Sequence, residues 1–258
     1  MEFTHGTPCW MQVEFNDLDS GTEFFRRTAG WEIPPGDPAM GGYAIASIAG
    51  KPVSGIWPVP AEEPEPDAID VWISVDNIES ALARVKELGA EVIAMDGVEI
   101  QQVMELGKQV FLKDPSGAHF GLWEPITFNG IDVMMVPGSP FWFEHLSPDP
   151  ATSAAFYANA FDLELVNHGD EYWTIKVPGA PSDAYGFAFP QQDGNTKATW
   201  FVSLFTDDLN KSADLVRENG GTADEEFVDM GEMGRFTYAT TPAGVPYGLW
   251  EANLDGMD

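Results

Sequence analysis

The chain has 258 residues, of which 44% are hydrophobic, and its 42 acidic and twelve basic residues give a formal charge of −30 at pH 7. This is the composition of a globular protein with enough residues for one large domain or two of ordinary size. The charge argues against nucleic acids and anionic membranes as partners, because their phosphates would be repelled. It indicates a highly soluble surface, with attraction of a cationic ligand as the alternative.

The start of the chain and its single cysteine bear on location. No run of apolar residues approaches the roughly 18–20 that a membrane helix needs. The first ten residues, MEFTHGTPCW, lack a basic segment followed by an apolar one, so no export signal is predicted. Cys9 has no second cysteine with which to form an internal disulfide. A lone thiol is compatible with a reducing compartment, and the cytoplasm is the predicted location.

Hydrophobic periodicity predicts a strand, a helix and further strands in the first quarter of the chain. Residues 10–15 alternate as in a strand, and residues 17–29 predict a helix with Phe24 and Phe25 on its apolar side. Two more strands and a proline-broken acidic loop follow at 43–49, 52–59 and 62–67.

The second quarter repeats this order. Residues 70–75 predict a strand, and a helix follows that is capped by Asp76 or Asn77 and ends at Gly89. The later strands are predicted at 91–94, 109–113 and 119–124. In the second half, Asp149-Pro150 starts a helix, and the last helix is capped by Asp207 or Asp208 and ends at Gly220-Gly221.

The second half of the chain repeats the first in sequence as well. The segment GTPCW, from Gly6, corresponds to GSPFW, from Gly138, at a spacing of 132 residues. The closing segments FGLWEP and YGLWEA correspond at a spacing of 127 residues. Small changes in spacing are what loop insertions and deletions produce, so an internal duplication is predicted.

Four segments carry a family resemblance. NDLDSGTEFFRRTAGWE and SPDPATSAAFYANAFDLE match a strand, an aspartate and a helix with an aromatic pair. VDNIESALARVKELGAE and KDPSGAHFGLWEP match a later helix and an Asp-Pro-x-Gly turn, whose aspartate is Thr241 in the second copy. The chain resembles the vicinal oxygen chelate superfamily, which includes glyoxalase I, extradiol dioxygenases and bleomycin-resistance proteins. It is most similar to a tandem two-domain group that is common in actinobacteria.

The resemblance implies an α+β fold with two tandem glyoxalase-like domains. Four βαβββ modules would form curved mixed sheets around clefts. The first domain would span residues 1–126 and the second 138–258, with a linker at 127–137. A dinucleotide-binding fold is not predicted, because no glycine-rich turn follows a strand.

Metal-using members of this superfamily hold a divalent ion with His, Gln or Glu from four strand positions. By resemblance, these positions fall on Trp10, Gly55, Val71 and Gly121 in the first copy and on Trp142, Gly186, Val202 and Gly248 in the second. None of these side chains is a donor of the kind that zinc, nickel or iron needs. Neither a metal nor another cofactor is therefore predicted. Glu124 and Glu251 lie three residues beyond the glycines and are expected on the opposite face.

Alternation along the strands predicts which side chains share the vacated face. Glycines would leave room there, and tryptophans would supply flat walls for a planar ligand. The predicted ligand-binding residues are Trp10, Gln12, Trp57, His119, Trp123, Trp142, Glu144, Trp200 and Trp250. An ordinary core position is the alternative for each tryptophan. Glu144 as a base and His119, whose imidazole titrates near neutrality, are the candidate proton-transfer residues.

Three functions are compatible with this pattern. The first is a metal-free protein that binds a small aromatic or planar organic molecule, as bleomycin-resistance members do. The second is an enzyme of the glyoxalase or dioxygenase type, acting as a lyase, isomerase or hydroxylase. The third is a non-catalytic interaction protein whose clefts are closed by aromatic packing. The expected partner is a small molecule, and the protein is expected to be a monomer or a homodimer.

Overall fold

The computed structural model of the chain describes residues 1–62, 65–94, 97–169, 172–176, 187–190 and 197–253. These residues form four α-helices, seventeen β-strands and two short 3-10 helices, at Pro38–Met40 and Gly231–Met233. No helix among them is long and apolar enough to cross a membrane.

The four helices are α1 (Leu18–Thr28), α2 (Ile78–Glu87), α3 (Pro150–Phe161) and α4 (Leu209–Glu218). In each, the side chain of the preceding residue accepts a hydrogen bond from an N–H of the first turn; these caps are Asp17, Asn77, Asp149 and Asp208. A cap satisfies an N–H that has no partner inside the helix. All four predicted helices are confirmed. Where the sequence left two candidates for the cap, the structure has Asn77 and not Asp76, and Asp208 and not Asp207.

The first copy contributes eight strands. They are β1 (Pro8–Phe15), β2 (Ala44–Ile48), β3 (Lys51–Pro58), β4 (Ala68–Ser74), β5 (Glu91–Ile93), β6 (Gln101–Val103), β7 (Gly107–Lys113) and β8 (His119–Pro125). Seven of them correspond to predicted strands. Strand β6 was not predicted, because its sequence, QQV, has one apolar residue and no alternation to detect.

The second copy contributes nine strands, several of them only two residues long. They are β9 (Pro140–Leu146), β10 (Glu164–Asn167), β11 (Trp173–Lys176), β12 (Ala188–Phe189), β13 (Thr199–Phe205), β14 (Thr222–Ala223), β15 (Val228–Asp229), β16 (Gly234–Thr240) and β17 (Pro246–Ala252).

The chain divides into two compact units, and each takes residues from both copies. Unit 1 comprises Met1–Trp10, Asp70–Gly130 and Phe143–Trp200. In unit 1, β8 runs parallel to β4 and antiparallel to β7, which also pairs with β5 and β6. Strand β12 runs parallel to β9 and antiparallel to β11, which pairs with β10. Helices α2 and α3 are in contact, and the core contains Tyr157 and Trp200.

Unit 2 comprises Met11–Ile69, Ile131–Trp142 and Phe201–Asp258. Here β3 runs parallel to β1 and antiparallel to β2. Strand β17 runs parallel to β13 and antiparallel to β16, which pairs with β14 and β15. Helices α1 and α4 are in contact. In the core, the Phe25 ring stacks on Trp31 at 4.4 Å.

One pairing recurs in all four modules. The strand before each helix runs parallel to the last strand of its module, in the pairs β1–β3, β4–β8, β9–β12 and β13–β17. Parallel strands need a crossover connection, and the helix of each module supplies it. The mixed α+β architecture with four repeated modules is thereby confirmed.

Candidate functional site

Gly121 on β8 lies opposite Trp72 on β4. A Cβ atom at position 121 would overlap the indole ring of Trp72. The space that a side chain would need is therefore filled by the ring of the neighbouring strand, and a carboxylate or imidazole at this position would have to displace it.

Gly248 on β17 has the same relation to Ser203 on β13. A Cβ atom at position 248 would overlap the Ser203 hydroxyl and would come within 2.6 Å of the Phe236 ring. Ser203 Oγ is buried and makes no hydrogen bond within the described part of the chain. Both glycines thus accommodate a side chain of the adjacent strand.

These pairings correct the predicted third position by one residue. Val71 and Val202 were expected on the faces of the two glycines, but Trp72 and Ser203 lie opposite them. By the resemblance, this position precedes the aspartate that opens the helix by five residues, which gives Val71 from Asp76 and Val202 from Asp207. The true caps lie one residue later, so the same count gives Trp72 and Ser203. Because a strand alternates, the two valines point to the other face, where they are fully buried.

Trp200 lies two residues before Val202 on β13, so its side chain is on the same face as Val202 and not on the face of Gly248. Its indole lies 5.3 Å from the His145 ring and 5.4 Å from the Tyr157 ring. It is only 2% exposed. Trp200 is a core residue of unit 1, which is the alternative that the sequence had left open for each tryptophan.

Four other predicted tryptophans are 6–7% exposed: Trp10, Trp123, Trp142 and Trp250. Nε1 of Trp123 donates to the backbone oxygen of Phe128 at 2.8 Å, and Nε1 of Trp250 donates to that of Met233 at 2.9 Å. The rings of Trp142 and Trp250 meet edge to face at 6.1 Å. These rings are largely enclosed by protein, and a direct contact with ligand stays a prediction for all four.

Trp57 differs from them, because its side chain is only partly buried. Its ring lies 6.2 Å from that of Tyr43, which is also partly buried. In the register of β1 and β3, Glu14 lies opposite Trp57 and Gln12 lies opposite Gly55. An accessible aromatic pair therefore shares one face of unit 2 with two polar side chains.

The two polar residues of this face are linked. Gln12, only 5% exposed, donates from Nε2 to Glu14 Oε1 at 2.7 Å. Burial raises the pKa of Glu14; the bond from Gln12 lowers it, and the charges of Glu65 and Asp67 raise it further. A carboxyl group of this kind takes up a proton more readily than an exposed glutamate does, so it can act as a hydrogen-bond donor or acceptor.

The two candidate proton-transfer residues belong to unit 1. Glu144, partly buried on β9, lies opposite Ala188 on β12. Burial and the charge of Glu144 raise the pKa of Tyr172. His119 begins β8 opposite Lys113 and is exposed. Their roles stay predictions.

Sequence reasoning missed a buried polar cluster in unit 1. Asp114 Oδ2 lies 2.8 Å from His145 Nε2 and accepts from the Tyr157 hydroxyl at 2.9 Å. Burial acts to raise the pKa of Asp114, but the hydrogen bond and charge of His145, with bonds from Ser116 and Tyr157, bring it below its usual range. Because Asp114 opens the Asp-Pro-x-Gly turn, the turn motif was the available signal. In the other copy of the duplicated sequence, the residues that correspond to His145, Tyr157 and Asp114 are Val13, Phe25 and Thr241, none of which is charged.

Two family models match the chain. The model described as Glyoxalase-like domain matches residues 10–123, and the model described as Glyoxalase/Bleomycin resistance protein/Dioxygenase superfamily matches residues 142–247. The chain belongs to this superfamily. It contains two glyoxalase-like domains, one in each copy of the duplicated sequence.

Curated relatives of this superfamily member are similar over nearly their whole length. A protein of Mycobacterium tuberculosis, provisionally named glyoxylase CFP32, is 27% identical over 96% of this chain and 95% of its own length. The anthracycline biosynthesis protein DauV of a Streptomyces species is 26% identical over 96% of this chain and 94% of its own.

Solved structures of the superfamily share the fold. The 2,3-dioxygenase LapB of Pseudomonas sp. KL28 has a TM-score of 0.69 with 16% identity. The superposition covers 97% of this chain and 94% of the LapB chain. The Mn(II)-bound glyoxalase of Novosphingobium aromaticivorans has a TM-score of 0.68 with 15% identity, and the superposition covers 98% of this chain and 86% of the glyoxalase chain.

The superfamily implies a divalent metal, and the residues at the corresponding positions do not fit one. At the third position, Trp72 and Ser203 take the place of the predicted Val71 and Val202. The predicted Gly186 lies outside the described residues, and the residue of β12 that pairs with β9, opposite Glu144, is Ala188. Within the described ranges, no three His, Cys, Asp or Glu side chains lie close enough to hold an ion together. Indole, methyl and hydroxyl groups are poor substitutes for imidazole and carboxylate.

Glu124 and Glu251 also serve elsewhere. Glu124 Oε2 accepts from the N–H of Ile78, at the start of α2, at 2.7 Å. Glu251 Oε2 accepts from the N–H of Leu209, at the start of α4, at 2.8 Å. Both carboxylates therefore stabilise a helix start, on the face of the sheet that packs against the helices, as the alternation predicted.

Proposed function

We propose that this superfamily member is a metal-independent protein that binds a small planar aromatic molecule. The observation that carries the proposal is the face formed by Gln12, Glu14, Tyr43 and Trp57. It combines partly buried aromatic rings with a hydrogen-bonded amide and carboxyl. This combination suits recognition of a flat ring with a polar edge.

The donor chemistry supports metal independence. A glyoxalase or extradiol dioxygenase reaction that needs a divalent ion needs ligands to hold it, and positions 72, 121, 203 and 248 carry an indole, a hydroxyl and two glycines. The two glycines accommodate neighbouring side chains, so they offer no space for a metal ligand.

Similarity to DauV supports the ligand class, because that relative is named for anthracycline biosynthesis. A fused aromatic ring system of this type would stack on Trp57 and Tyr43. Its carbonyl or hydroxyl groups would meet Gln12 and Glu14 at the inner end of the face. The cytoplasm remains the expected location.

The test uses the whole protein and daunorubicin, a fluorescent anthracycline, as the probe. We expect saturable binding by calorimetry, an affinity at least tenfold lower in Trp57→Ala, and partial retention in Trp57→Phe. Glu14→Gln should weaken binding less than Gln12→Ala, because glutamine keeps the size of the side chain and its hydrogen-bonding capacity. The control is Glu23→Gln, which changes an exposed carboxylate paired with Arg27.

Elemental analysis of the same preparation tests the second part of the proposal. One equivalent of manganese, iron, nickel or zinc that survives dialysis, together with loss of daunorubicin binding when it is removed, would contradict metal independence. Unchanged affinity in Trp57→Ala would contradict the assignment of the site.

A second function, proton transfer, is supported by one observation, the raised pKa of Glu14. Such a carboxyl takes up and releases a proton at a higher pH than an exposed glutamate does, which suits a general acid or base. The hemithioacetal of methylglyoxal and glutathione is the probe for glyoxalase-type chemistry. Turnover that is absent in Glu14→Gln but present in Glu23→Gln would favour this enzyme function over binding alone.

A further inference from the structure

A cleft of about 250 Å³ lies in unit 2 where α1 ends and α4 begins. Its apolar wall includes Leu215 and Leu249, and its polar wall includes Arg27, Lys211, Ser212 and Tyr247. None of these residues is among those predicted to bind ligand, and none belongs to the Trp57 face.

Tyr247 is the first indication that this cleft takes a ligand. The side chain is only 1% exposed, and its hydroxyl finds no hydrogen-bond partner in the residues that the structure describes. A buried hydroxyl without a partner is uncommon, because it has lost its bonds to water without replacement. Burial raises the pKa of Tyr247, so the phenol keeps its proton and can donate it to an acceptor. The first copy has Phe120 at the matching position, so the strand packs without this hydroxyl.

The charge at the cleft is the second indication. Arg27 and Lys211 are two of only twelve basic residues in a chain of formal charge −30. Lys211 is exposed in the first turn of α4, and Arg27, in the last turn of α1, pairs with Glu23 at 2.6 Å. Asp207 also lines the cleft and opposes them in part. Because Glu23 compensates Arg27, Lys211 is the lining cation that an anionic group can meet at this place.

We propose that this cleft binds a small aromatic carboxylate. One carboxylate oxygen accepts a hydrogen bond from the Tyr247 hydroxyl, and the charge of the carboxylate faces Lys211. The ring lies against Leu215 and Leu249. The volume is that of one or two fused rings, which is smaller than the ligand proposed for the Trp57 face.

The probe is 1-naphthoate, and 1-naphthylmethanol is its matched neutral analogue. Titration followed by amide NMR shifts should place 1-naphthoate beside Tyr247 and Lys211 and give an affinity at least tenfold higher than that of the alcohol. Tyr247→Phe, which removes the hydroxyl alone, should weaken binding about tenfold. Lys211→Gln should weaken it about threefold and reduce its dependence on salt.

Two readouts separate a site from a packing feature and from the Trp57 face. Tyr247→Phe should keep or raise the melting temperature, because an unpaired hydroxyl contributes nothing to folding. Binding of 1-naphthoate should persist in Trp57→Ala. The proposal is overturned if 1-naphthoate and its alcohol bind equally, if Tyr238→Phe, an exposed control, weakens binding as much as Tyr247→Phe, or if Trp57→Ala abolishes binding.

Discussion

Trp72 and Gly121 fit together as a pair, because the indole of one occupies the volume in which the other would carry a side chain. Gly121→Ala should therefore destabilise the protein by about 1–3 kcal/mol, the usual cost of overpacking a core. Gly121→Glu, which would restore a carboxylate ligand, should cost more. Chemical denaturation followed by circular dichroism measures both.

A double variant separates this pair from a general effect of glycine. Trp72→Ala alone should cost about 3–5 kcal/mol, because it leaves a large cavity. In the Trp72→Ala background, Gly121→Ala should cost nothing or should stabilise. An equal cost of Gly121→Ala in both backgrounds would show that the indole is not what excludes the side chain.

Ser203 gives a prediction of the opposite sign. Its hydroxyl is fully buried and has no hydrogen-bond partner among the residues described, so Ser203→Ala should stabilise the protein by about 1 kcal/mol. The matched control is Ser54→Ala, since Ser54 is equally buried and its hydroxyl donates to the backbone oxygen of Gly55 at 3.0 Å. That substitution should cost about 1 kcal/mol. Loss of stability in both variants would indicate that Ser203 is bonded in solution.

The Asp114 cluster should control the acid stability of unit 1. Asp114→Asn breaks a buried pair with His145, so a cost of about 3–5 kcal/mol is expected at pH 7. Because the pKa of Asp114 is lowered in the folded protein, its contribution is present above the unfolded value of about 3.9 and is lost as pH falls below it.

Melting temperatures between about pH 3 and pH 7 test this dependence. The gap between the wild-type protein and Asp114→Asn should narrow as the solution is acidified. The exposed carboxylate of Asp214, which pairs with Arg217, provides the control Asp214→Asn. A gap that stays constant down to pH 3 would show that Asp114 does not carry the acid sensitivity.

The sequence predicted the four helices and most strands of the first copy, because caps and periodicity are local signals. Asp17 and Asp149 each begin a helix as expected, whereas the choice between Asp76 and Asn77 could not be made from residue type. That one-residue ambiguity carried over into the site and placed Val71 where Trp72 lies. Positions counted along a strand are only as accurate as the landmark from which they are counted.

The aromatic residues show a different limit. Composition and alternation predicted that Trp57 and Trp200 both line a ligand-binding face. In the structure, the Trp57 ring is partly buried, whereas the Trp200 ring lies in the core. Likewise, alternation from Gln12 places Glu14 on the same face of β1, but the effect of burial on the pKa of Glu14 depends on packing that no local pattern reports. Burial and pairing between distant segments had to come from the structure.

Glu14 should make the folded protein less stable as pH rises through the weakly acidic range. Its pKa is raised in the folded state, mainly by burial, so its favourable contribution is full below the unfolded value of about 4.3 and is lost as pH rises towards the folded value. Glu14→Gln removes this loss. The melting temperature of the variant minus that of the wild-type protein should therefore increase as pH rises from about 4 to about 7. Glu23→Gln, at an exposed carboxylate, should show no such gain. A constant difference between Glu14→Gln and wild type across this range would mean that Glu14 is not held in a buried, charge-disfavouring environment.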